Sequence, residues 1–377
     1  MSDHCRQSRF RPRAPESAWQ EYLAKIKVAP IEPAQEKDWS GRGEHIEYSL
    51  EEENQIPLQL ERVLGHSASA LVESVRCRRI RLARKTINCH ARLKKEDAIN
   101  EVAHLQRLKH CHIIQVVGTY VCGKKLSILL YPVAEFTLDT YMERLREDPT
   151  KEMQNSFEKF FGCLAMAVDF MHERLTKHMD IKPKNLLIKD MACSKSRLGH
   201  IPVRYKIIVA DFGIARSYAS AQESVTGSPT SFTRTYASPE VINQAPRSFK
   251  ADIFSLGCVM LEMLATFCDT CPLWHGKSYY SGLMQIRSST SDVSYQANAL
   301  HLMEWLRSSI WQRPISTLSA EGHAQFNNFV LLVIDTLNPK SETRPTSSEL
   351  RDFFALQSVF SECICDSLPD PYEAAAG

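Results

Sequence analysis

No stretch of this sequence is long and apolar enough to suggest a transmembrane helix. The longest candidate, Phe254 to Phe267, has 14 residues and carries Ser255, Glu262 and Thr266, so no membrane span is expected. An excess of one charge is lacking as well. Lys and Arg total 46 against 44 Asp and Glu, a formal net charge of +2, which provides no global field to attract nucleic acid or an acidic membrane surface. The polar, arginine-bearing N-terminus has no secretory apolar core, and no internal repeat is visible. With no secretory signal, the 12 cysteines point to a reducing intracellular compartment, cytoplasm or nucleus, rather than to a disulfide framework. Cys268 with Cys271, and Cys363 with Cys365, have the spacing of half a metal or redox site. Neither comes with a second pair of ligands, and buried thiols are the plainer account.

What is present is an ordinary globular composition, 44% apolar and 24% charged, in 377 residues, which suits one large catalytic-size unit plus a tail. Residues 1–56 are rich in Arg, Pro, Gln and Glu and read as a mostly extended leader. Within it, Ser17 followed by Trp19, Tyr22, Leu23 and Ile26 predicts a short capped helix near 17–28, docked either on the protein's own surface or on a partner. Leu58 to about Ile87 reads as three strands with Gly65 at the first turn. Arg76-Cys77-Arg78-Arg79 is either an exposed strand end or an anion site. Phe157, Phe160, Phe161, Leu164, Val168 and Met171 mark a buried helix. Met191 to Tyr205, polar and basic with Gly199 and Pro202, reads as an inserted surface loop. Residues 361–377 form a C-terminal tail.

Two loops carry the chemistry. His178-Met179-Asp180-Ile181-Lys182-Pro183-Lys184-Asn185 and Asp211-Phe212-Gly213 supply one carboxylate to take a hydroxyl proton, plus an amide and a second carboxylate to hold a metal beside phosphate oxygens. In this the chain resembles the eukaryotic protein kinases, with His-Met-Asp where that family has His-Arg-Asp. The resemblance extends along the chain. Leu82-Ala83-Arg84-Lys85 is similar to the family's Val-Ala-Ile-Lys. Glu101 lies in a helical pattern with Ile99, Val102, Leu105 and Leu108, similar to the C-helix. Ile128 to Val133 resembles the hinge strand, Ser238-Pro239-Glu240 resembles Ala-Pro-Glu, and Asp252 to Gly257 resembles the family's Asp-x-Trp-Ser-x-Gly. Arg344 stands where an arginine pairs with the Ala-Pro-Glu carboxylate, here Glu240.

The resemblance implies an α+β, two-lobed protein kinase fold over about 57–360, with a small antiparallel β-sheet lobe and C-helix (57–130) and a larger, mainly helical lobe (134–360). It implies ATP and Mg²⁺ as cofactors. Asp180 would take the acceptor proton and Lys182 would steady the γ-phosphate. Asn185 and Asp211 would ligate the metal, Lys85 would hold the α- and β-phosphates, and Glu101 would pair with Lys85. Leu64, Gly65, Val72, Ala83, Leu130, Tyr131 and Val133 would surround the nucleotide, with Leu130 as gatekeeper. Lys182 and Thr233 match serine/threonine-directed members, so the implied partner is a protein substrate with Ser or Thr.

Two departures stand out. The glycine-rich turn reads Gly65, Ser67, Ala70, so two of the three glycines that let backbone amides approach phosphate are replaced. Met179 removes the arginine that pairs with an activation-loop phosphate. The implied activity is ATP-dependent phosphorylation of protein serine or threonine. The alternatives are a pseudokinase acting as a nucleotide-binding or scaffold module, favoured by the degraded turn, and a small-molecule kinase, disfavoured by Ser238-Pro239-Glu240 and Thr233.

Overall fold

The computed structural model describes residues 39–66, 70–78, 80–89, 99, 102–103, 105–191, 204–212, 216–217, 233–270, 278–310 and 320–356. The short helix near 17–28, Glu101, Ser67, the body of the 191–205 insert, Cys271, the Cys363–Cys365 pair and the 361–377 tail lie outside them. The chain divides into two compact units. One comprises Met1–Ala103 with Val116–Leu130, the other His104–Gln115 with Tyr131–Gly377.

The first unit is built on a six-stranded sheet. Its strands are β1 (His45–Tyr48), β2 (Gln59–His66), β3 (Ala70–Cys77), β4 (Ile80–Asn88), β5 (Gln115–Cys122) and β6 (Lys125–Tyr131), in the order β1-β5-β6-β4-β3-β2. Leu126 to Leu130 of β6 are all buried, as expected of a central strand covered on both faces. Ile99 and Val102 of this unit, and Leu105 and Leu108 of the second, are buried at the predicted helical spacing.

The sheet is mostly antiparallel, as expected, apart from β1, which runs parallel to β5 with His45 opposite Thr119 and Tyr48 opposite Cys122. Two expectations are corrected. The extended leader ends earlier than residue 56. Trp39 is 5% exposed, its indole N–H donates to Glu44 O at 3.0 Å, and its ring lies 5.8 Å from that of Tyr120. A 3₁₀ turn, Leu50–Gln55, follows β1, with Ser49 and Glu52 exchanging bonds in a capping box. Gly65, finally, is inside β2 opposite Val72 rather than at the turn.

The second unit contains helices α1 (Leu138–Glu147), α2 (Lys151–Glu173), α3 (Pro239–Ile242), α4 (Lys250–Thr270), α5 (Tyr279–Arg287), α6 (Tyr295–Ser309), α7 (Ala320–Thr336) and α8 (Ser347–Ala355). It also has β7 (Phe136–Thr137), β8 (Thr176–Lys177), β9 (Leu186–Asp190), β10 (Tyr205–Val209) and β11 (Arg216–Ser217). The predicted stripe from Phe157 to Met171 is buried along α2. Tyr205, expected at the end of the inserted loop, instead starts β10 and pairs with Asp190 of β9. The apolar stretch from Phe254 belongs to a 21-residue helix, α4, which by length and composition could cross a membrane, but 94% of its apolar window is buried inside the protein. It is the core helix around which this unit packs.

Candidate active site

The sequence after β8 has little regular structure of its own, and one buried carboxylate shapes it. Asp252, fully buried in the first turn of α4, accepts from the amide of His178 (Oδ2, 2.8 Å), from the amide of Met179 (Oδ1, 2.8 Å) and from His172 Nε2 (3.2 Å). Burial pushes its acidity down, but the His172 bond, the neighbouring His172 and His178 imidazoles and the Met179 amide together outweigh this and hold its pKa below the usual aspartate value. Met179 adopts φ +69°, and its side chain packs with Ala237, Val241 and Ala251. His178 is oriented by its neighbours. Ala210 O can only accept, so His178 Nε2 carries the hydrogen of that 3.0 Å bond, leaving Nδ1 to accept from the amide of Asp180 at 3.3 Å. The imidazole also lies 4.7 Å from the buried Phe212 ring.

Pro183 then opens a 3₁₀ turn, Pro183–Asn185, its fixed φ suiting the first position. The turn folds Asn185 back on Asp180. Asn185 Nδ2 donates to Asp180 O (2.8 Å) and to Asp180 Oδ2 (3.0 Å), and Lys182 Nζ donates to the same Oδ2 (2.6 Å) and to Thr233 Oγ1 (2.6 Å). Asp180, Lys182, Asn185 and Thr233 are thus brought together. The amide of Ala210 donates to Asn185 O at 2.9 Å, which places the next residue, Asp211, at φ +64° with its side chain exposed. Farther along, Arg344, 1% exposed, makes a two-pronged pair with Glu240 at 2.7 and 2.9 Å.

In the first unit Gly65, Val72, Ala83, Lys85 and Leu130 share one sheet face, because residues directly opposite in an antiparallel ladder point the same way. Gly65, Val72, Lys85 and Ile128 form one cross-strand row, and Ala83 and Leu130 belong to the next. A Cβ added to Gly65 would meet no protein atom within 4 Å, so packing does not require a glycine there. Leu64 is exposed, Tyr131 is half-buried, Val133 is buried, and the Tyr131–Pro132 peptide is cis.

A magnesium ion takes oxygen ligands and keeps several waters, so it needs few protein groups. Asn185 spends its amide nitrogen on Asp180, and its oxygen takes part in none of those bonds. Asp211 presents an exposed carboxylate. This donor set suits a hard, partly hydrated cation. Among the described residues no group of three or more His, Cys, Asp and Glu could form a metal cage.

Sequence reasoning overlooked His172 and the carboxylate role of Asp252. The signals were a histidine at the end of an apolar helical stripe and an aspartate opening an apolar helix.

A comparison with protein families matches residues 58–353 to the protein kinase domain. Curated relatives include the serine/threonine-protein kinase nekl-2 of Caenorhabditis elegans, 28% identical over 191 residues, 48% of this chain and 48% of that protein. Mitogen-activated protein kinase kinase kinase 2 of Arabidopsis thaliana is 28% identical over 188 residues (48% of this chain, 26% of that protein). Cell division control protein 2 homolog 1 of Trypanosoma brucei brucei is 29% identical over 202 residues (52% and 60%). The matched region thus spans less than two thirds of each relative. With the family match covering most of the chain, this chain belongs to the protein kinase domain family.

Proposed function

We propose that the protein transfers the γ-phosphoryl group of ATP to serine or threonine hydroxyls of protein substrates. The observation that carries this reading is the asymmetry of the Asp180 carboxylate. Oδ2 is held by Lys182 and Asn185, whereas Oδ1 takes part in none of these bonds. A carboxylate so fixed presents Oδ1 as acceptor for the hydrogen of an incoming hydroxyl, with its orientation set in advance. Lys182, which also bonds the Thr233 hydroxyl, places an ammonium where negative charge on the transferring group would be offset.

Asn185 and Asp211 are the residues that would hold Mg²⁺, which when bound neutralises phosphate oxygens. The row of Gly65, Val72 and Lys85, with Ala83 and Leu130 beside it, would carry the nucleotide on the first unit's sheet face. The name of one relative, the serine/threonine-protein kinase nekl-2, supports serine and threonine as acceptors. The test is incubation of purified full-length protein with Mg²⁺, labelled ATP and a serine/threonine-rich protein substrate, beside Asp180→Asn. Label transfer lost in the variant supports the reading. ATP binding without transfer in the wild type would make the chain a nucleotide-binding module instead.

A further inference from the structure

The 3₁₀ turn Arg234–Tyr236 begins one residue after Thr233, whose hydroxyl is bonded to Lys182, and it is held from two sides. Toward the interior, Tyr236 OH donates to Glu262 Oε1 (2.8 Å), which also accepts from Tyr295 OH (2.5 Å), and the two tyrosine rings lie 5.3 Å apart. Ser255 Oγ donates to Tyr236 O at 2.9 Å. Toward solvent, Arg234 Nη2 meets Asp292 Oδ2 at 2.7 Å. Asp292 lies in the lead-in to α6 and Tyr295 is the helix's first residue, so one short segment grips the turn on two faces.

The lead-in to α6 is itself well fixed. Asp292 Oδ1 accepts from the amide of Ser294 (3.0 Å), and Asp292 O accepts from Asn298 Nδ2 (2.7 Å) and Thr290 Oγ1 (2.9 Å). Asn298 is fully buried, and Arg287 donates to Val293 O at 3.1 and 3.0 Å. The Asp292 carboxylate is therefore anchored, whereas Arg234, with 63% of its side chain exposed, is not held by burial. An ion pair this exposed adds little to folding stability. Its consequence is positional: it fixes where the turn after Thr233 can lie.

We infer that Asp292 is a positioning residue for the phosphoacceptor side of the reaction. By holding Arg234 it fixes the turn that follows Thr233, along which a protein substrate is laid. The inference rests on the kinase reading above, and it deepens it by naming what sets the acceptor surface. Nothing in it requires a phosphate on the loop, since the anion that engages Arg234 is supplied by the chain's own carboxylate.

The test compares wild type with Asp292→Asn, whose amide oxygen can still accept from Ser294. For a serine peptide, kcat/KM should fall about fivefold, the most that losing one exposed pair of about 1 kcal/mol allows, with the change in KM rather than kcat. ATP hydrolysis without peptide and the thermal midpoint should stay at wild-type values. The reversed pair, Arg234→Asp with Asp292→Arg, should recover most of the loss. Amide exchange at 234–237 should be faster in Asp292→Asn, and this readout does not depend on catalysis. If wild type transfers no label while exchange responds as expected, the kinase reading fails and the positioning contact stands. Unchanged exchange overturns the inference. So does an unchanged peptide KM in an active enzyme, or an equal loss of peptide transfer and peptide-free hydrolysis.

Discussion

The amide of Met179 donates to Oδ1 of Asp252 across 2.8 Å, with Met179 held at φ +69°. A left-handed backbone at a non-glycine residue is costly and persists only where its surroundings impose it. Here Asp252 also takes the His178 amide, so the residues before Asp180 are set by a single buried side chain. Asp252→Ala leaves two buried N–H groups and His172 without their acceptor. The expected loss is about 3–5 kcal/mol, because removing one partner leaves desolvated groups unpaired. Chemical denaturation measures it, and a loss below about 1 kcal/mol would contradict the anchoring role.

Met179 itself predicts how the loop is held. Its thioether packs with Ala237, Val241 and Ala251, with Ile242 against them, where the family's arginine would have reached for a phosphate. Apolar packing from within the chain takes the place of that clamp. Phosphatase-treated protein, read at its earliest turnovers, should therefore transfer as fast as untreated protein. Met179→Arg should lower stability by about 2–4 kcal/mol, the cost of forcing a cation into an apolar cluster without a partner. A large loss of rate on dephosphorylation, unaltered by Met179→Arg, would place a clamp elsewhere.

The loop from His178 to Asn185 was legible because its contacts are local. Asp180, Lys182 and Asn185 lie within six residues, Pro183 between them restricts the backbone, and the resemblance to the kinase motif grouped them. The α2 stripe was legible through its period. What could not be read was pairing over long separations. His45 to Tyr48 are four residues in polar company, and their partners on β5 are 74 positions away, so no periodicity announced a strand. Met179 likewise read as a missing cation, because the apolar neighbours that explain it lie some 60 to 70 positions downstream.

The added strand revises what can be cut from the N-terminus. A Cβ on Gly118 would collide with Glu44 O and Trp39 Nε1, which shows how closely this segment packs on β5. A chain beginning at Trp39 keeps this segment whole. One beginning at Glu51 loses β1 and the buried Trp39, at a cost of about 3–5 kcal/mol by analogy with removal of a buried aromatic. Gly118→Ala in the full chain should lower stability in the same direction. Equal denaturation midpoints for the two shortened chains would show that β1 is dispensable.

His45 gives that same strand a pH dependence. Burial lowers its pKa from 6.5 to about 4, and its Nδ1 lies 2.8 Å from Thr119 Oγ1. Between those two pH values the unfolded chain binds a proton that the folded chain refuses, so stability falls as pH drops from 6.5 toward 4 and is intact above 6.5. From pH 7.5 to 5 the loss attributable to this one group is at most about 2 kcal/mol. The Glu44 carboxylate, 3.9 Å from Nε2, favours the protonated ring and reduces the loss below that ceiling. His45→Gln keeps a polar group beside Thr119 and removes the titration, so its stability should vary less with pH over the same range. The measurement is the urea midpoint of both proteins at pH 7.5, 6 and 5. Parallel curves would mean that His45 does not contribute to the acid sensitivity of the sheet.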